Sequence, residues 1–135
     1  MENPDKFIRK YFVGKLSGMV VNGKNVVLYD THSPNNEKVL IILSTQTGSN
    51  DWVSKCSVDK NRTILIDIIT RYEGDTGGRL LLDDIIEEVL TRVKKIEVEN
   101  FVVTDYTLTF PQEIITSTNT ETIFRKILQY DINLK

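Results

Sequence analysis

The residues best suited by type to do chemistry sit in the run Glu73-Gly74-Asp75-Thr76-Gly77-Gly78, between a strand-like TILIDIIT and a helix-like RLLLDDIIEEVLTRVKK. Glycine-rich turns between strand and helix cradle phosphates when free backbone N–H groups converge there. This loop lacks the closing Gly-Lys-Ser/Thr of a phosphate loop, and Glu73 and Asp75 would repel an anion. It reads as a flexible connector. The neighbouring carboxylates Asp83-Asp84 and Glu87-Glu88 lie on the outer side of the same helix, and nothing draws them into a pocket for acid–base work. His32 is the only histidine and Cys56 the only cysteine. A thiol nucleophile needs a nearby base, and a zinc site needs several ligands at set spacings; neither pattern occurs. No serine lies in a nucleophile elbow. Lys55, Lys60, Arg62, Arg71 and Arg79 form a candidate basic patch, but without interleaved aromatics they read as solvated surface. The expectation is a non-enzyme with no catalytic residue, no metal and no cofactor.

A chain of 135 residues with 40% hydrophobic and 27% charged residues suits one domain, residues 1–135, able to bury a core without cross-links. The net charge of −2 argues against strong global attraction to nucleic acid, though not against a pore through which DNA passes. One cysteine forms no internal disulfide, so a reducing compartment is the default. No apolar run approaches the roughly 20 residues of a membrane-spanning helix. MENPDKFIRKYF has neither the basic lead nor the apolar stretch of a secretory signal, so no membrane partner is expected. The sequon Asn61-Arg62-Thr63 is then read as chance.

The elements follow from local pattern. Asn3 caps a first helix with Pro4 at its first position, and Phe7, Ile8, Tyr11, Phe12 and Leu16 make one apolar stripe. Asn22-Gly23 favours a tight hairpin turn between strands at Met19–Val21 and Asn25–Asp30. Thr31–Glu37 reads as a loop and Lys38–Thr45 as a strand covered on both faces. Gln46 to Asn61 reads as polar and irregular, with Trp52 either closing one end of the core or anchoring a subunit contact. Arg62–Arg71 is a central strand whose Asp67 needs a basic partner or a place near the core's edge. A helix over Gly78–Lys95 carries Leu82, Ile85, Ile86, Val89, Leu90 and Val93 on one face, with Glu88 and Arg92 as an i,i+4 pair on the other. A strand follows Asn100 and ends at Pro111, then Gln112–Thr120 forms a bend or loop. The last strand, Thr122–Leu134, is long enough to bend or project.

This order of elements, with TILIDII, LLLDDIIEEVLTRV and FRKILQYDINL at its centre and end, resembles the tail-terminator or tail-completion proteins of tailed bacteriophages. The resemblance runs from Phe7 to Leu134. It implies an α+β fold: a mainly antiparallel β-sheet with the N-terminal helix and the central amphipathic helix packed on one face. It also implies a structural virion protein, made in the host cytoplasm, that forms a homo-oligomeric ring at the head–tail junction. The ring is a hexamer or larger and contacts other tail or neck proteins. DNA passes through its lumen without specific binding. On that reading Phe7, Tyr11, Trp52, Tyr72, Arg79 and Phe124 are expected at subunit contacts, and Glu73 and Asp75 facing the lumen. The long Gln46–Asn61 segment also admits a neck or connector ring protein of the same virion. A second class stays open: a cellular adaptor or small-ligand-binding domain with Trp52 or Tyr106 lining a pocket between helix and sheet. A small enzyme with an unrecognised site is the third.

Overall fold

A computed structural model describes residues 3–30, 37–54, 57–74 and 77–135; for 45–54 and 57–59 it describes the backbone. The expected loop before Glu37, His32, Cys56 and Asp75 lie outside those residues. The chain opens on helix α1 (Pro4–Leu16), where Asn3 Oδ1 accepts the Asp5 N–H at 3.0 Å and Pro4 holds the first turn. Strands β1 (Met19–Val21) and β2 (Lys24–Tyr29) make the expected hairpin. Asn22 and Gly23 take φ of 53° and 76°, the left-handed pair that a two-residue turn demands. Then come β3 (Val39–Ser54), β4 (Ser57–Glu73), helix α2 (Leu80–Arg92), β5 (Val103–Ser117) and β6 (Glu121–Leu134).

The strands form one six-stranded sheet in the order β1-β2-β3-β4-β6-β5. Every neighbouring pair is antiparallel except β2–β3. Period-two alternation turns Ile41, Leu43, Ile64, Ile66 and Ile68 to one face, where they join Ile8, Phe12 and Leu16 of α1 and Leu82, Ile85 and Val89 of α2 in a single core. Both helices therefore pack on the same face, and the fold is the expected α+β arrangement. Leu40, Ile42, Leu65, Asp67 and Ile69 alternate onto the other face.

Several sequence expectations are corrected. The polar stretch Gln46–Asn61 is not irregular. β3 runs on to Ser54, and β4 starts at Ser57 and pairs with it, with irregularities between Leu43 and Gln46 and between Trp52 and Ser54. Past the Lys60↔Leu134 pair β6 has ended, so β3 and β4 continue as a two-stranded ribbon. The sequence of this stretch lacks the apolar alternation that announces a strand. Pro111 does not end its strand either: β5 passes through it to Ser117, and only Thr118–Thr120 turn. An extra β5 residue is accommodated between Thr109 and Gln112, and β5 is the sheet's edge, where a missing N–H costs no ladder bond. α2 stops at Arg92 rather than Lys95, and β6 pairs along its length with β4 on one side and β5 on the other.

Asp67 is 4% exposed and has the basic partner its burial requires. Arg125 Nε donates to its Oδ1 and Oδ2 at 3.0 and 3.1 Å, and Arg125 NH2 also donates to Oδ2. The guanidinium's pKa is raised, first by this hydrogen bonding and then by the carboxylate charge, against its own desolvation. Removing one partner strands the other. Arg125→Met is expected to lose about 3 kcal/mol in urea unfolding, while Asp67→Leu/Arg125→Met recovers at least half of that. Equal losses in the two variants would show that the stranded charge is not the cause.

Candidate functional site

The glycine-rich loop is tied down at its base. Gly74 N–H donates to Thr120 O at 2.8 Å, and Thr122 Oγ1 donates to Gly74 O at 2.7 Å, so the turn between β5 and β6 clasps the start of the loop. Gly77 has φ +96°, and a Cβ there would lie 2.3 Å from carbons of the Tyr72 ring. Tyr72 in turn meets Phe124 edge-on at 5.8 Å between ring centres. Three expected site residues, Tyr72, Glu73 and Phe124, thus come together at this end of the sheet. Phe124 is buried, Tyr72 is half-buried, and Glu73 is exposed, 3.9 Å from Lys38 Nζ. Arg79, just ahead of α2, reaches across to the edge strand and donates to Glu113 Oε1 at 3.0 Å.

Phe7 and Tyr11 belong to a second cluster, on α1. Phe7 packs on Phe101 at 6.1 Å. Tyr11 donates its hydroxyl to Lys95 O at 2.7 Å, and Tyr106 donates to Lys94 O at 3.0 Å. Two phenols, from α1 and β5, therefore hold the carbonyls of the two residues that follow the α2 C-cap Val93. The Tyr11 pKa is raised by burial, with Tyr106 and Glu97 adding to it. Tyr130 is 1% exposed, and its hydroxyl has no hydrogen-bond partner among the described residues. Burial, with Tyr106 and Tyr11 nearby, pushes its pKa up to about 12. The open groove beside this cluster, lined by Tyr11, Lys15, Arg92, Lys94, Lys95 and Glu97, mixes both signs of charge and aims no converging set of groups at a ligand. Among the described residues no group of His, Cys, Asp and Glu could hold a metal ion.

Trp52 lies in β3, paired with Val58 of β4, so the arm that carries it is strand rather than loop. Asp75 falls outside the described residues. The site residues do not form one cluster: they divide between the loop end, the α1 face and the ribbon. Several exposed apolar residues had no sequence signal. Phe110 (46%), Ile115 (44%) and Tyr106 (37%) stand on β5, Val102 (64%) immediately precedes it, and Leu80 (74%) opens α2 next to the Arg79–Glu113 bridge. Strand alternation reports which residues share a face, but not that β5 has nothing beyond it.

No known family and no curated protein matches this sequence. Among solved structures, the fold is similar to that of a chain in the virion of a native gene transfer agent particle. The TM-score is 0.64 at 11% identity, with 98% of this chain and 99% of that chain covered.

Two outcomes follow from this geometry. Gly77→Ala forces a Cβ into the Tyr72 ring at a backbone angle L residues avoid, and should lower stability by about 2 kcal/mol in thermal unfolding; an unchanged Tm would mean the loop shifts freely. The Tyr130 phenol, harder to ionise when folded, contributes stability that is full below pH 10 and is lost as pH rises from there through about 12. Tyr130→Phe should flatten that part of the alkaline stability curve, and an identical curve would count against the burial of Tyr130 as its cause.

Proposed function

We propose that this protein is a structural component of a phage-like virion: the ring at the head–tail junction that terminates or completes the tail, with DNA passing through its lumen. The observation that carries the reading is the fold likeness, over nearly all of both chains, to a component of a gene transfer agent virion. The resemblance in element order to tail terminators supports it independently. A sheet that leaves backbone along β5 and apolar side chains around it open to solvent suits a subunit completed by its neighbours.

In this reading the chain assembles with itself as a hexamer or larger ring and meets other tail or neck proteins along the ring's axis. It uses no cofactor and is not an enzyme. It is made in the host cytoplasm and carried in the virion. Arg79 and Tyr72 at the loop end, Phe7 and Tyr11 on α1, Trp52 on the ribbon and Phe124 beneath Tyr72 form or back the subunit contacts. Glu73 and Asp75 face the lumen, where negative charge lets DNA slide rather than stick. The ribbon past Leu134 favours one variant of the reading, a neck or connector ring whose ribbon reaches the next ring along the axis.

Light scattering after size exclusion, joined to negative-stain imaging, tests the reading. The expected result is an annulus of identical subunits that retains no DNA at physiological salt. A single globule that binds a small metabolite in a helix–sheet pocket would overturn it in favour of a cellular ligand-binding or adaptor domain.

A further inference from the structure

Two strand margins are unused, and they lie on opposite sides of the molecule. β5 is the last strand of the sheet, and its outer margin has no backbone partner among the described residues. At the other side β2 covers β3 only at Leu40, Ile41 and Ile42, so the margin of β3 from Leu43 to Ser54 is also unpaired among the described residues. Lys, the commonest guard that keeps natural edges apart, is absent from both stretches, as is Arg: the charged residues in Ser44–Ser54 and Val103–Ser117 are Asp51, Asp105 and Glu113. One copy cannot bring these margins together, because β4 and β6 stand between them.

We infer that the β5 margin of one copy pairs with the free β3 margin of the next, so that the sheets of neighbouring subunits run into one another around the ring. This rests on the ring reading above and gives it a specific joint. Three features fit. First, direction: β3, β4, β6 and β5 alternate, so a rotated copy presents β3 antiparallel to β5, the more stable ladder. Second, level: pairing rows carry Gln46 through Ile64 and Tyr130 to Leu108, and Thr47 through Thr63 and Asp131 to Thr107. Within the free part of β3, Gln46–Ser49 therefore lie level with Asp105–Leu108. Third, the stop: where β2 takes over the β3 margin, β5 has its extra residue and Pro111, which has no N–H to offer a neighbour. The joint buries Tyr106 and Phe110 and is head-to-tail, the type of contact that closes rings.

The test uses the full chain with Cys56→Ser, carrying Thr47→Cys and Thr107→Cys together, treated with a short bis-maleimide while the ring is imaged. The expected result is a ladder of covalent species up to the full ring, with no ladder from either single variant and cross-linked pairs when the two single variants are mixed. Thr107→Cys alone giving dimers would mean a two-fold β5–β5 contact and would overturn the inference. A ring seen without cross-links defeats this joint but leaves the ring reading standing. Cross-linked open filaments support the joint and defeat the closed ring, and lone monomers without cross-links defeat both. Circular dichroism of each variant confirms that it is folded before it is scored.

Discussion

Everything in this fold hangs on the ladder between β4 and β6. Their residues pair without a register shift from Lys60↔Leu134 to Glu73↔Glu121. A one-residue slip would turn Ile64, Ile66 and Ile68 away from the helices and carry Asp67 into the core. The ladder sets Asp67 close enough to Arg125 for paired hydrogen bonds, although these residues sit two rows apart in register. It also places Arg62 where its Nε reaches Asp5 at 2.9 Å, fixing the start of α1 against the sheet. The glycine-rich loop is held at the ladder's upper end and the ribbon springs from its lower end.

What could be read from the sequence is what this ladder and its helices write into local pattern. The α1 cap, the Asn22-Gly23 turn, the apolar face of α2 and the Glu88–Arg92 bridge at 2.9 Å all follow from neighbouring residues, and each was legible. So was the need of Asp67 for a cation, though not that Arg125 would supply it, because cross-strand partners are set by register across 58 residues of sequence. The ribbon and the second half of β5 are not legible because neither stretch alternates apolar with polar residues. Pro111 also masks the second half of β5, since its usual meaning holds for a strand with neighbours on both sides. The α2 terminus is not legible because Lys94 and Lys95 are good helix formers, and the phenols that capture their carbonyls come from elsewhere in the chain.

The candidate site was legible only residue by residue. Aromatics and charges of the right type were recognisable, but Tyr72 and Phe124 share a cluster while Phe7 and Tyr11 occupy another. The second face adds a feature no local pattern announces. Asn61 bonds Asn133 at 2.7 Å and Asn133 bonds Asp105 at 2.6 Å, while Thr63 bonds Asp131 at 2.7 Å. Side-chain hydrogen bonds thus run from β4 through β6 to β5. They reinforce the backbone ladder on the side away from the helices.

The paired phenols at the end of α2 have a mechanical meaning. Tyr106 belongs to the outermost strand and Tyr11 to the first helix, yet both grip adjacent carbonyls of one short segment. A tug on that outermost strand is relayed through Lys94 and Lys95 into α1 within two hydrogen bonds, bypassing the sheet. The first helix therefore feels force applied at the far rim of the subunit.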